Sequence, residues 1–250
     1  VTAAAEYLAE TRFDLLLVTG DITRFGHGDE FETARMWLGK LPGPRLATPG
    51  NHDTPWAGLL DRLTSPFQRY ERAIGPADED AFTGPGLVAR AVNTARGWQL
   101  RLDWSKGEIT PRQVERAIRD LNLAEPGAVR VLICHHPLMD IPGGPITSRV
   151  RGGRRAAARV ASAGVDLVLT GHLHAPFFQP FPFEDGLTYA VGAGTLSLRG
   201  RGAPPGFNVI DIDGQDLRVT AMAWNGQRLE PHRVWRAPLR GRPAPAMAWP

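Results

Sequence analysis

Four short apolar runs punctuate the first 170 residues: FDLLLV from Phe13 to Val18, RLATPG from Arg45 to Gly50, AVRVLIC from Ala128 to Cys134, and VDLVLT from Val165 to Thr170. Their length and their lack of alternation suit strands buried on both faces. Between them the apolar positions take a helical spacing. Phe31, Ala34, Trp37 and Leu38 can share one face of a helix over 29–40, and further helices are predicted over 111–123, with Pro111 in its first turn, and over 153–163. The opening TAAAEYLAETRFD reads as the later turns of a helix. An irregular insert, 55–107, interrupts this order with a helix expected over 59–73, a loop rich in Asp, Gly and Pro, and one or two strands. Beyond Thr188 the segments TYAVGA, FNVIDID and DLRVTAMAW are β-rich, and Asp213-Gly214 marks a hairpin turn. The fold class is therefore α/β, expected as a two-sheet sandwich with helices on its outer faces. One domain over 1–235 is expected, followed by a flexible Pro/Ala/Arg tail over 236–250.

Composition narrows the function. At 250 residues with 42% hydrophobic and 22% charged, the chain can bury a continuous core, which excludes disorder for its bulk. No apolar stretch approaches the ~18 residues of a membrane span. The single cysteine, Cys134, excludes an internal disulfide and a cysteine-based zinc site, so any metal must use His, Asp, Glu or Asn. The net charge is +3, and of 29 basic residues only Lys40 and Lys106 are lysines. Arginine-rich runs at 149–155 and 233–242 could attract phosphates, but no aromatics interleave with them, and nucleic acid is not expected as the main partner.

The chemistry concentrates at strand ends. Five of the seven histidines, His52, His135, His136, His172 and His174, fall in PGNHD, CHHP and GHLH, each directly after a predicted strand, and a fourth strand end supplies Asp21 in TGD. The carboxyl ends of parallel strands border one crevice, so these residues can converge. A carboxylate, an amide oxygen and imidazoles form the mixed N/O set used for Mn, Fe or Zn, and a bridging carboxylate can hold two ions ~3.5–4 Å apart. Each piece also has a plain reading: Asp21 as a turn residue, Asp53 as a cap, the histidine pair at 135 and 136 as a strand end. Their joint occurrence at four successive strand ends favours the metal site. Gly20, Gly50 and Gly171, each beside a candidate ligand, stand where the chain must turn sharply.

These four blocks, Gly20-Asp21, Gly50 to Asp53, His135-His136-Pro137 and Gly171 to His174, resemble those of the calcineurin-like metallophosphoesterases, and within them the bacterial cyclic-nucleotide phosphodiesterase-like branch, over roughly residues 5–225. The resemblance implies two divalent metal ions. Asp21 would bridge them, Asn51, His135 and His172 would complete the second site, and His174 would belong to the first. His52 would be catalytic, giving a proton or hydrogen bond to the leaving oxygen, with His136 and Asp53 in supporting positions. A metal-bound hydroxide would then attack a small phosphodiester or monoester, such as a cyclic nucleotide, in line and without a covalent protein intermediate. The family's first block, Asp-x-His, is absent from these 250 residues, so the sandwich is expected to lack its first strand, and the resemblance favours an N-terminally incomplete domain. A non-catalytic or single-metal phosphate-binding protein remains the alternative. A cytoplasmic location is expected; substrate-binding residues and oligomeric state stay open. The insert at 55–107 and the segment 139–155 flank the blocks, and Trp56, Trp98 and Trp104 read first as core, with stacking on a substrate as the other possibility.

Overall fold

The computed structural model describes residues 1–78, 80–100, 103–147, 150–197 and 200–241. In chain order its elements are α1 (Thr2–Glu10), β1 (Leu16–Val18), α2 (Gly28–Leu38), β2 (Arg45–Ala47), α3 (Leu59–Thr64), α4 (Gln68–Ala73), β3 (Ala81–Gly84) and β4 (Leu87–Ala91). There follow α5 (Pro111–Leu121), β5 (Val129–Ile133), α6 (Gly153–Ser162), β6 (Leu167–Thr170), β7 (Phe177–Pro180), β8 (Tyr189–Gly192), β9 (Gly206–Asp213), β10 (Asp216–Trp224) and β11 (Leu229–Pro238).

A six-stranded sheet, ordered β3-β4-β5-β6-β8-β7, forms one layer. Its four central strands are parallel, and β3 and β7 close the two edges antiparallel. The second layer comes in two pieces, the parallel pair β1-β2 and the antiparallel sheet β11-β10-β9. Leu46 of β2 and Leu217 and Val219 of β10 join Ala89, Val131, Leu167 and Val191 of the large sheet in one apolar cluster, so both pieces cover the same face. The opposite face, with Val88, Leu132 and Val168, packs under α5 and α6. Outside the β1-β2 pair, Phe31 of α2 and Tyr70 of α4 bury against Ala47. The expected α/β sandwich with helices outside is present, its second sheet divided.

Local chemistry explains the elements. Thr110 caps α5, its hydroxyl accepting from Gln113 N at 3.3 Å while Gln113 Oε1 accepts from Thr110 N at 3.0 Å. Val114, Ala117, Ile118 and Leu121 then fall on one buried stripe. The single helix expected over 59–73 is instead α3 and α4, because Pro66 has no N–H to give and bars the helical conformation at Ser65. β11 escapes a sequence reading because Pro231 and Pro238 argue against a strand; it lies at a sheet edge, where a missing donor is tolerated.

The strand continues to Pro238, past the boundary read at residue 235, and Leu239 beyond it is buried. Residues 242–250 of the expected tail lie outside the described residues. Arg240 explains the ordered end: Nε and Nη2 each reach Asp185 at 2.7 Å, and Nη1 stands 3.7 Å from the buried Asp166. Hydrogen bonding from Arg240 lowers the Asp185 pKa to about 2. Arg240→Ala is expected to lower stability by about 1–2 kcal/mol, discounted for solvent screening of the Asp185 pair. A depressed carboxylate pKa stabilises the fold fully above about pH 4 and loses that contribution as pH falls toward 2. Thermal unfolding of both proteins across that window, with their difference shrinking in acid, checks it.

Candidate active site

Every candidate ligand sits just past the carboxyl end of a parallel strand: Asp21 after β1, Asn51 after β2, His135 after β5, His172 and His174 after β6. Since β1 and β2 belong to one layer and β5 and β6 to the other, the site lies where the layers meet. A hydrogen bond joins them there: His135 Nδ1 donates to the Thr19 carbonyl at 2.7 Å. This bond fixes the tautomer and leaves Nε2 with its lone pair, 3.3 Å from Asp21 Oδ2. His174 Nε2 stands 4.0 Å from the same oxygen.

Close backbone approach brings the loops together. A Cβ on Gly20 would lie 2.7 Å from both Gly50 N and His135 Nδ1, and one on Gly50 would fall 2.2 Å from Asp21 Oδ1. Asp21, His172 and His174 adopt positive φ of 55°, 60° and 56°, a conformation that costs a non-glycine residue ~1–2 kcal/mol. Three strained residues at one crevice are held by the surrounding structure, as happens where geometry serves binding.

Three ligand-type atoms are buried there without a hydrogen-bond partner: Asn51 Oδ1, His135 Nε2 and His172 Nε2. Such atoms cost ~1–3 kcal/mol each when left unpaired. Lone pairs from an amide oxygen and two imidazoles, beside the Asp21 carboxylate, suit a divalent transition ion. The titrations of Asp21 and His172 agree, while His135 would have to give up a proton from Nε2 to bind an ion. Burial alone would raise Asp21, yet His135, His174 and His52 hold it well below the usual carboxylate range. Burial also opposes a charged His135, but Asp21 outweighs it and raises that pKa. His172 falls to about 2, mainly through burial and then through its cationic neighbours, so its ring stays neutral.

His136 lies close enough for its ring to share a metal with His135 and His172. Its nitrogens are already engaged, however: Nε2 donates to Ser105 O and Nδ1 accepts from Thr94 Oγ1, both at 2.9 Å. It supports the site from behind. Asp53 does so from below. Its carboxylate accepts from Ile22 N (3.2 Å), Thr23 N (2.8 Å), Thr23 Oγ1 (2.9 Å) and Gly50 N (2.8 Å), clamping the loop after β1 to the loop after β2. Burial, then the charge of Asp21, push its pKa up to about 6 against the pull of these donors. The sequence gives little sign of Ser105, which acts through its carbonyl, or of Thr94, whose hydroxyl meets His136 from 42 residues away; Thr23, a polar residue two places after Asp21, was the accessible hint.

His52 is bound from both ends. Its backbone N donates to Asp21 Oδ1 at 3.0 Å and its ring Nδ1 donates to Arg24 O at 2.8 Å, so Nε2 is the ring atom left for chemistry. Of the tryptophans read first as core, Trp56 and Trp98 are instead exposed, and Trp104 is half-buried beneath the Arg62 guanidinium.

A family model for calcineurin-like phosphoesterases matches residues 1–176. The chain belongs to this family. As a calcineurin-like phosphoesterase it is a phosphoester hydrolase of a family that uses divalent metals. A relative from Synechococcus sp., named "Probable cyclic nucleotide phosphodiesterase", is 26% identical over 236 residues, covering 90% of this chain and 76% of the relative. Among solved structures, Plasmodium GAP50, described as the anchor in the inner membrane complex, aligns with a TM-score of 0.60 at 14% identity over 96% of this phosphoesterase and 82% of its own chain. TT1561 of Thermus thermophilus aligns at 0.51 and 12% identity, covering 87% and 90%. Both likenesses speak for the fold alone. Among the described residues, no helix is long and apolar enough to cross a membrane.

Proposed function

We propose that this phosphoesterase hydrolyses small phosphodiesters at a two-metal centre, with the cyclic nucleotides named for its relative as one candidate class. The observation that carries the reading is the trio of buried, partnerless lone pairs on Asn51, His135 and His172 around Asp21. Asp21, Asn51, His135 and His172 would hold one ion, and Asp21 and His174 would face the other. When bound, such a pair supplies positive charge that acidifies water and neutralises the phosphate oxygens. The protein's own part is to fix the ligands and to manage the leaving group. Asp21 is kept ionised and therefore able to bridge. His135 is oriented through Thr19 O, so its ring cannot turn away. His52, steadied by Arg24 O through Nδ1–H, presents Nε2, which in the imidazolium form would donate its proton to the departing alkoxide and leave a neutral ring; the alkoxide is costly to expel unprotonated near pH 7.

Hydrolysis of bis(p-nitrophenyl) phosphate with added Mn, alongside metal counting, tests the proposal. Turnover with two ions per chain supports it; one ion and no turnover favours the phosphate-binding alternative. His52→Ala is expected to keep its metal content while kcat falls by ~10²–10⁴, the scale of a lost general acid. Metal loss in that variant would reassign His52 as a ligand.

A further inference from the structure

Beside His52 the surface turns apolar. The carbonyl of Arg24 that holds its ring is followed by Phe25, whose own carbonyl accepts from Trp56 N at 3.0 Å and whose ring lies 5.7 Å from the Trp56 indole. Trp56 is 73% exposed, and α3 continues from it with Leu59 and Leu60 at 62% and 72%. Trp98 and Leu100, at 48% and 85%, are brought to the same helix because Arg62 Nε donates to Gly97 O at 2.7 Å. A run of large exposed apolar side chains marks a binding surface rather than ordinary exterior.

The charges near this face are tied to partners, the Arg24 guanidinium lying over the Phe25 ring at 4.7 Å. Arg62 turns inward to Gly97 O and to Pro55 O at 3.0 Å and lies over the Trp104 ring, while Asp61 forms an exposed pair with Arg69 at 3.2 Å at the edge of the face. What remains is hydrocarbon and indole, with no amide or hydroxyl at these positions to read the edge of a base. The wall is also continuous with the group assigned to the leaving oxygen. We therefore propose, resting on the phosphodiesterase reading above, that the preferred substrate is a phosphodiester whose leaving alcohol carries a long apolar chain, and that this chain lies along Trp56 and the α3 leucines. In the reaction the oxygen of water forms the new bond to phosphorus and the bond from phosphorus to the chain-bearing oxygen breaks. That oxygen takes a proton, giving a neutral alcohol and a phosphomonoester.

A series of n-alkyl phosphocholines from ethyl to decyl, each below its micelle concentration, tests this, with bis(p-nitrophenyl) phosphate as the chainless control. Full burial would give about a fourfold rise per methylene; a chain with one side on a wall should show kcat/KM rising roughly twofold per methylene. Phosphocholine and the alkanol should be the products. Leu60→Glu and Leu100→Glu alter residues too exposed to threaten folding, and each should flatten the chain-length slope, cutting kcat/KM for decyl at least tenfold more than for ethyl phosphocholine. A flat slope in the parent protein, a slope unchanged in both variants, or release of choline with an alkyl phosphate would each overturn the inference while leaving the phosphodiesterase reading intact. The same holds if the variants merely dissociate a dimer without changing the slope. Failure to cleave the chainless control as well would overturn both.

Discussion

Asn51→Ala and His172→Ala are each expected to remove metal from the second position and reduce turnover to near background, while leaving the metal-free protein about as stable as its parent. The reason lies in the partnerless atoms. Without an ion, Asn51 Oδ1 and His172 Nε2 are buried lone pairs that the fold must carry, so deleting them relieves a cost that offsets the small cavity created. With an ion present the sign reverses. An ion at 100 times its dissociation constant stabilises the folded state by ~2.7 kcal/mol, and the variants forfeit that gain. Loss of a partner one bond further out already lowers affinity by ~10–100-fold in metal sites, and a direct ligand should cost more. Thermal midpoints with and without Mn, read beside metal content and kcat, give a two-by-two comparison. A variant that unfolds equally early in both conditions would mean that Asn51 or His172 serves packing and not an ion.

The parts of this protein that were legible in its sequence are those where one signal sufficed. The apolar runs that become β5 and β6 are strands because a two-sided core accepts such segments, whereas β1, in the two-stranded pair, is only half-buried along its length; Gly20, His135 and Gly171 follow their ends. β9 and β10 with the Asp213-Gly214 turn were equally plain, since alternation and turn chemistry agree and Gly214 supplies a φ of 57°. Where two rules compete the sequence is silent. Pro66 splits a helix whose apolar spacing runs straight through it, and Pro231 hides an edge strand whose ladder does not need that nitrogen. The division of the second layer into β1-β2 and β9-β10-β11 depends on which edges meet, which periodicity does not encode. In the site, side chains with metal-ligand chemistry could be picked out by type. The supports could not, because Thr19 and Arg24 act through carbonyls and every residue has one. His136 shows the converse: it carries the right chemistry for a ligand, and only the bonds from Thr94 and to Ser105 reveal that both its nitrogens are used.

Asp53 is expected to be the most destabilising single site in the crevice, although it is assigned no metal and no substrate. Its carboxylate gathers four donors from two loops that are 30 residues apart in sequence, Ile22 N, Thr23 N and Oγ1 on one and Gly50 N on the other. Asp53→Ala strands three backbone N–H groups, and with ~1–3 kcal/mol for each unpaired group, partly recovered by entering water, a loss of about 3–5 kcal/mol follows. Asp53→Asn should recover little of it. Each carboxylate oxygen receives two donors, so an amide of similar size must aim its own N–H₂ at one of those pairs, replacing two acceptances with a collision of donors. Thr23→Val deletes the hydroxyl that donates to Asp53 and accepts from Gly26 N, leaves the three backbone donors to Asp53 in place, and should cost about 1–3 kcal/mol. Metal affinity should fall in the same order, because the Asp21 carboxylate is positioned between His52 N and His135 only while the two loops stay clamped. Urea unfolding and metal titration of the three variants measure both rankings. If Asp53→Asn matched the parent in stability and affinity, a single acceptor oxygen would be enough, and the clamp would have to be sought in the close approach of Gly20 to Gly50 instead.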